Sequence, residues 1–240
     1  MKPIKVGIAG VTGRMGAAVL FALRDTTGLT ASIALVRPGG EKPDGIALAE
    51  TLDAFLAGCD VVVDFSRPAL LAELAPACAA AGKPLVSGTT GLEDATFKAL
   101  TDAASRVAIL HAPNMSIGIN ILRYLVEKAS ETLSADWSCE VFEAHHAHKV
   151  DAPSGTALRL GAAVEQARGA GAVSYAVERE GETIGFHEVR FAGPGERIVL
   201  AHEALDRGIF AQGALRAALW VVDQPPGLYG MDDVLALKSG

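Results

Sequence analysis

Ile4-Lys5-Val6-Gly7-Ile8-Ala9-Gly10-Val11-Thr12-Gly13-Arg14-Met15-Gly16, with the Ala- and Leu-rich run that follows to about Arg24, decides the fold class. Ile4 to Ala9 reads as a short buried strand. Gly10, Gly13 and Gly16 then occupy the turn and the first helical turn. A strand, a Gly-rich turn and a helix make an anion site. Glycine lets the backbone approach a pyrophosphate closely, and the helix start offers N–H groups and partial positive charge. The spacing departs from GxGxxG, because Thr12 replaces the middle glycine. Alone, the loop is equally a tight βα turn of any doubly wound domain. Its place at the first strand of a βαβ unit points to a nucleotide.

Outward from this stretch the alternation continues. Strands are expected at Thr30 to Val36, where Pro38-Gly39-Gly40 breaks the chain, and at Asp60 to Phe65, Pro84 to Ser87 and Val107 to His111. Helices are expected from Pro68 to near Gly82 and from about Glu93 to Ser105. Strands alternating with helices imply a parallel, doubly wound α/β sheet. Near Asn114 the pattern changes. Ile117 to Leu133 and Ser154 to about Arg168 read as helices, and Trp137 to Glu143 as a strand. Thr183 to Phe191 and Arg197 to Glu203 read as paired strands joined by Gly193-Pro194-Gly195, and Phe210 to Val222 as an apolar helix. Arg168 to Ala172 reads as a loop. Two domains are expected: residues 1–116, completed by 208–240, and an α+β domain with a mixed sheet over 117–207.

Half of the 240 residues are hydrophobic and 20% are charged, enough for a sizeable core and against disorder. The formal charge of −7 argues against a nucleic-acid or anionic-membrane partner. It also means that an anionic substrate would need a local positive pocket. Cys59, Cys78 and Cys139 are odd in number and lack CxxC spacing, so reduced thiols of a cytosolic protein are expected. The opening Met1-Lys2-Pro3-Ile4-Lys5 runs straight into strand-like residues, so no signal peptide is expected. No apolar run approaches the ~18 residues of a membrane span.

The tip of the second strand selects between nicotinamide dinucleotides. An acid there binds ribose hydroxyls, and an Arg can hold a 2′-phosphate. Val36-Arg37 stands here, which leans toward NADPH with Arg37 as the phosphate clamp. Arg37 is otherwise a solvated loop charge, and dual use with NADH stays open. Ser87-Gly88-Thr89-Thr90-Gly91 and Ala112-Pro113-Asn114-Met115 follow the fourth and fifth strands, at the carboxyl ends where open sheets bind ligands.

The segment Glu143 to Leu158 carries the chemistry. Three of the six histidines, His145, His146 and His148, fall within four positions and precede Lys149. A metal site is the first alternative. Lys149 would repel a cation, no cysteine is near, and ligands normally stand at helical or cross-strand spacings, so no metal is expected. A polar loop does not explain this concentration of His and Lys in an acidic chain. An acid–base reading does: imidazole exchanges protons near neutral pH, and Lys holds a carboxylate or donates a proton. Ser154 after Pro153 reads as a helix N-cap. The N–H groups of Gly155 and Thr156 then point at an anion. The expected substrate is a small carboxylate-bearing compound.

Four motifs and the C-terminal stretch now fall into one pattern. Gly10 to Gly16, Gly88-Thr89-Thr90-Gly91, Ala112-Pro113-Asn114-Met115-Ser116 and His145 to Leu158 occur in the order of the 4-hydroxy-tetrahydrodipicolinate reductase (dihydrodipicolinate reductase) family, which the chain resembles over nearly its whole length. Ala217-Ala218-Leu219-Trp220 and Gly227 to Leu235 resemble it too. The resemblance implies a Rossmann-type first domain and a substrate-binding and oligomerisation second domain. It implies NADPH- or NADH-dependent reduction of a cyclic dicarboxylate, hydroxylated or already dehydrated, to tetrahydrodipicolinate in the diaminopimelate route to lysine. His145 matches the acid–base histidine, and Lys149 the second proton donor and carboxylate partner. His146, Gly155 and Thr156 match substrate-binding positions. Gly10, Val11, Thr12, Gly13, Arg14, Met15, Gly88, Thr89, Thr90, Ala112, Pro113, Asn114 and Met115 match the cofactor loops. It further implies a cytoplasmic homo-oligomer, usually a tetramer paired through its substrate-domain sheets.

Some positions depart from the family. Ala147 stands where many members have Arg, Met115 where Phe is common, and Val36 where an acid is frequent. After Arg190 the chain moves directly to Phe191-Ala192-Gly193, where members carry a strand extension, so a dimer is as open as a tetramer. Two other readings share the first domain. One is another dicarboxylate or aspartate-type dehydrogenase, and the other is an NADPH sensor without catalysis. Neither has a use for His145 to Thr156.

Overall fold

The computed structural model describes residues 2–37, 39 and 43–237; Pro38 and Gly40 of the expected chain break lie outside them. β1 (Ile4–Ala9) leads into α1 (Arg14–Ala22), and a 3-10 turn at Leu23–Asp25 carries the chain to β2 (Leu29–Leu35). β3 (Ala47–Ala49), α2 (Leu52–Ala57), β4 (Val61–Asp64), α3 (Pro68–Ala81), β5 (Leu85–Ser87), α4 (Asp94–Ala104) and β6 (Ala108–His111) follow. Next come α5 (Ile117–Thr132), β7 (Ser138–His145), α6 (Gly155–Arg168), β8 (Ser174–Arg179), β9 (Phe186–Gly193) and β10 (Glu196–Glu203). α7 (Gly208–Val221), β11 (Gly227–Tyr229) and α8 (Met231–Val234) come last. The chain forms two compact units, Met1–Ser116 with Gly208–Gly240, and Ile117–Arg207.

The first unit is a seven-stranded parallel sheet in the order β3-β2-β1-β4-β5-β6-β11. Six of those strands follow the 3-2-1-4-5-6 order of doubly wound dinucleotide-binding sheets, and the parallel, doubly wound sheet is the one the alternation implied. The order reverses between β1 and β4, so the ligand crevice of such a sheet lies at their carboxyl ends. Every residue of β4 is buried, as a strand covered on both faces must be. Ala9, Val62, Leu85 and Ile109 point into a cluster with Phe55, Leu71, Leu74 and Leu100 of α2, α3 and α4. Their equally buried neighbours Ile8, Val61, Val63, Val86 and Leu110 alternate to the opposite face. Helix punctuation is local. Pro68 opens α3, and Gly82 closes it in the left-handed region at φ 62°.

The second unit is a four-stranded mixed sheet in the order β10-β9-β7-β8, in which only the β7–β8 pair is parallel. α5 and α6 cover one face. Ile119, Leu122 and Val126 of α5 and Leu160 and Val164 of α6 meet Cys139, Val141, Val189 and Phe191 of the sheet. β9 and β10 are joined by the two residues Pro194 and Gly195, the latter at φ 87°. Hairpin loops this short need a left-handed position, which glycine supplies.

Three expectations are corrected. The strand expected to stop at Glu143 runs on to His145. The strand expected from Thr183 starts at Phe186, because the Thr183 carbonyl instead accepts the His146 N–H at 2.7 Å. β3, α2, β8, β11 and α8 went unread. β8 is an edge strand whose residues are mostly exposed, so it lacks an apolar alternation. Phe191 is fully buried in the smaller core. Phe191→Ala is expected to lower stability by about 3–5 kcal/mol, measured as a lower urea midpoint at unchanged slope.

Candidate active site

In the first unit the Gly-rich loop is built as an anion cradle. Gly10 has φ 82°, and a β-carbon there would stand 2.5 Å from the Phe65 carbonyl oxygen. A β-carbon on Gly16 would stand 2.1 Å from the Gly10 carbonyl. Both positions therefore exclude any side chain, and α1 begins directly over the loop. Gly13 is its N-cap, and no side chain caps it, so the first-turn N–H groups stay available to an anion. Thr12, Gly13 and Arg14 are exposed, Met15 is half-buried and Val11 is buried. Arg37 is exposed just past β2.

The neighbouring loops are stapled by a residue to which the sequence reading gave no role. Asp64, fully buried at the end of β4, accepts the Ser87 hydroxyl at 2.8 Å and the Thr89 hydroxyl at 2.8 Å. Its other oxygen accepts the Ser66 N–H at 3.0 Å. His111 Nε2 lies 3.0 Å from the Thr89 carbonyl, which ties the end of β6 to the same knot. Thr89 thus spends its hydroxyl inward and can offer a ligand only its backbone. Gly88 has no room for a β-carbon, which would lie 2.2 Å from the Phe65 ring. Thr90 and Pro113 are exposed, while Ala112 and Met115 are buried. Asn114 Oδ1 accepts the Ser116 N–H at 2.9 Å and turns the loop into α5.

In the second unit the core row turns polar at one end. On β7 the buried positions are Cys139, Val141, Glu143 and His145. On β9 Phe191 pairs with Cys139, Val189 with Val141 and His187 with Glu143. Glu143 is fully buried, and every contact of its carboxylate comes from a different element. Oε1 accepts the Ser154 N–H at 2.9 Å and an Arg179 guanidinium N–H at 2.6 Å. Oε2 lies 3.2 Å from His145 Nδ1 and 3.7 Å from His187 Nε2. The two imidazoles meet edge to face at 5.0 Å between centroids. Ser154 is the N-cap of α6, as its place after Pro153 implied, and its hydroxyl accepts the Ala157 N–H at 3.2 Å. Gly155 is exposed and Thr156 half-buried in the first turn. Lys149 is half-buried, with Nζ 2.7 Å from one Asp151 carboxylate oxygen and 2.8 Å from the other. His146 is half-buried, and its ring lies 6.3 Å from that of His148.

Electrostatics follow from this packing. Burial pushes the Glu143 carboxyl up, yet hydrogen bonds from Ser154 and Arg179 outweigh it and hold the group below its ordinary value. Burial lowers the His145 imidazole, as do Lys149 and Arg179, while Glu143 and Asp151 raise it. Burial and the neighbouring His145 drive His187 down to about 3, so it is neutral at ordinary pH. Glu143, His145 and His187 each offer a ligand atom within 4.8 Å of the others, the geometry of a cation-binding set. Arg179 and Lys149 put two positive charges against such an ion.

Two consecutive stretches of the chain match the two halves of one family, the second running through the smaller unit and on into the returning C-terminal part of the larger one. The model described as dihydrodipicolinate reductase, N-terminus, matches residues 4–115, and that described as dihydrodipicolinate reductase, C-terminus, matches residues 118–235. The chain belongs to the dihydrodipicolinate reductase family. It is 45% identical over 265 aligned residues to the 4-hydroxy-tetrahydrodipicolinate reductase of Thiobacillus denitrificans, covering 98% of this chain and 99% of the relative. It is 42% identical over 259 residues to the enzyme of that name from Caulobacter vibrioides, covering 99% of each. In fold it resembles the dipicolinate-bound dihydrodipicolinate reductase of Paenisporosarcina sp. TG-14, with a TM-score of 0.86 at 21% identity over 96% of this chain and 99% of that one. Membership favours the reductase reading over an aspartate-type dehydrogenase or a nucleotide sensor.

Glu143, Arg179 and His187 escaped the sequence reading for a common reason. Glu143 and His145 share a face only if the strand reaches His145. His187 and Arg179 come to it through sheet register, Arg179 opposite His145 on β8. Strand alternation carried two residues further was the one available signal. Asp64 was hidden because an acid at a strand end reads as turn chemistry. Asp64→Ala would leave two buried hydroxyls and an N–H without their acceptor. It is expected to cost about 1–3 kcal/mol and to weaken nicotinamide dinucleotide binding, followed by thermal melting and by fluorescence titration with NADPH.

Proposed function

We propose that the protein reduces 4-hydroxy-tetrahydrodipicolinate, or its dehydrated form, to tetrahydrodipicolinate with NADPH or NADH, in the diaminopimelate branch of lysine synthesis. The observation that carries this is a buried imidazole, His145, seated against a carboxylate beside the capped start of α6, in a chain of this family. The strained, side-chain-free loop at Gly10 and Gly16 and the uncapped start of α1 fit the dinucleotide's phosphates. Gly10 to Met15, Gly88 to Thr90 and Ala112 to Met115 would hold it, with Arg37 on a 2′-phosphate. A nicotinamide, when bound, supplies the hydride.

The second unit's residues do the rest. Gly155 and Thr156 N–H groups at the start of α6 bind one substrate carboxylate, strengthened by the helix dipole. Lys149 and His146 bind the second. Lys149 reaches it by exchanging Asp151 for the substrate. Adding a hydride to a conjugated ring leaves negative charge at the far end of the conjugated system. His145 donates the proton that quenches it, so the product gains one hydride and one proton. Lys149 is the second donor available for that same proton, so the balance stays at one hydride and one proton. The hydroxylated substrate first loses water, its hydroxyl leaving together with one ring C–H proton.

No helix among the described residues is long and apolar enough to cross a membrane. We place the enzyme in the cytoplasm as a homo-oligomer. The face of the mixed sheet not covered by α5 or α6, carrying Phe142, Arg190 and Val199, is the surface for self-association. Light scattering on the purified chain reads the subunit number, and a monomer would remove this part of the proposal.

The test is nicotinamide oxidation, followed by absorbance, with freshly generated cyclic substrate. His145→Gln combined with Lys149→Ala is expected to lower kcat by at least ~10² while leaving cofactor affinity intact; surviving turnover would reject the role assignment. Arg37→Ala is expected to weaken NADPH more than NADH in parallel titrations. Equal weakening would mean that Arg37 does not touch the 2′-phosphate.

A further inference from the structure

We infer that Glu143 is the positioning residue of the acid–base imidazole: its carboxylate holds the His145 ring with the proton on Nδ1, so that Nε2 is the atom presented to substrate, and His187 and Gly185 complete the seat. The inference deepens the function proposed above and rests on it.

The two oxygens of Glu143 do separate things. Oε1 is saturated by Ser154 and Arg179, which fixes the carboxylate in place. Oε2 faces two ring nitrogens, with His145 Nδ1 at 3.2 Å the nearer. Both Oε2 and Nδ1 are buried and have no aligned hydrogen-bond partner among the described residues. They sit at ion-pair distance, and a small ring rotation joins them. The opposite tautomer would press the Nδ1 lone pair against a carboxylate oxygen in a buried site, leaving two acceptors in contact with no proton between them. The geometry therefore selects one tautomer.

The far edge of the ring is kept open. A β-carbon on Gly185 would stand 3.2 Å from His145 Nε2 and 3.6 Å from the His187 ring. Glycine at 185 removes that obstruction beside the reacting nitrogen. His187 closes the other side, edge to face with His145, its Nε2 3.4 Å from the Ser154 hydroxyl. Being neutral, it adds no second positive charge beside the first.

The groups acting on His145 come from every element around it. They are Glu143 on β7, Lys149 and Asp151 on the loop after it, Arg179 at the end of β8 and His187 on β9. Burial and the two cations disfavour the imidazolium. The Glu143 carboxylate is the strongest opposing charge. Without it, a buried ring between a lysine and an arginine would take up its second proton only at lower pH.

Two measurements decide the matter. In the wild-type protein, long-range nitrogen–proton correlation spectra of the histidines are expected to show neutral His145 protonated on Nδ1. A proton on Nε2 would overturn the inference, and this arm needs no variant to fold. In Glu143→Gln the amide keeps an oxygen for Ser154 and Arg179 but turns an N–H toward Nδ1. We expect kcat to fall by about 10², KM to change far less, and the basic limb of the kcat profile to move to lower pH. A purely structural Glu143 would lower the melting temperature and leave that limb and the rate per folded molecule unchanged, which would also overturn it. A wild-type protein that oxidises no nicotinamide with the cyclic dicarboxylate would reject the function instead, while the histidine spectra still report on Glu143.

Discussion

The second unit turns on one buried charge. A carboxylate with no solvent contact is strongly disfavoured unless it is hydrogen-bonded and paired. Glu143 meets that condition only because β8, β9, the start of α6 and its own strand all deliver a partner to the same point. Removing any one would leave an uncompensated ion or an orphaned donor. That demand fixes the loop from His146 to Pro153. Arg179 spans from the Glu143 carboxylate to the Asp151 carbonyl at 2.7 Å, so the loop carrying Lys149 and the N-cap serine is held by the charge it surrounds.

The first unit uses the same device for another purpose. Asp64 is fully buried and gathers the loops after β4 and β5 by three hydrogen bonds, with β6 tied on through His111. Loops at the carboxyl ends of parallel strands would otherwise be the mobile part of a doubly wound sheet. In each unit a buried acid stands where the apolar strand core ends, and the functional loops are organised around it rather than around apolar contacts.

Much of this was legible in the chain because its signals are local. The strand–glycine–helix order, Pro68 and Gly82 around α3, and Ser154 before α6 each reveal themselves within a few residues. The parallel, doubly wound character of the sheet follows from the alternation of strands and helices, whereas its full strand order could not be read because β3 went unread. What escaped has non-local causes. Thr51 does cap α2, accepting the Ala54 N–H at 3.3 Å, but a six-residue helix is too short for a clear period. β8 pairs at an edge and has no buried face to pattern. His187 and Arg179 lie far along the chain from Glu143 and join it only through pairing register, which no spacing within Glu143 to Leu158 could announce. The histidine cluster drew attention to this segment, yet the carboxylate that gathers the buried imidazoles stood at the segment's first residue as an ordinary strand acid.

The charge balance of the second unit bears on how an acidic chain can handle a dianion. Glu143 is matched by Arg179 and Asp151 by Lys149, so the segment is close to neutral before any ligand arrives. The start of α6 is itself drawn into this balance, its Gly155 backbone N–H also stabilising the Asp151 carboxylate. A dicarboxylate bound there brings negative charge into a poorly solvated site. Two responses are open to the residues present. Lys149 can leave the exposed Asp151, which water readily re-solvates, and His145 can take up a proton, since added negative charge nearby favours the imidazolium. Glu143 does not respond, because the hydrogen bonds from Ser154 and Arg179 already hold its carboxyl in the charged form. On the proposed roles, substrate binding and loading of the acid would be coupled through local charge, and the net charge of the whole chain would be no obstacle to an anionic substrate.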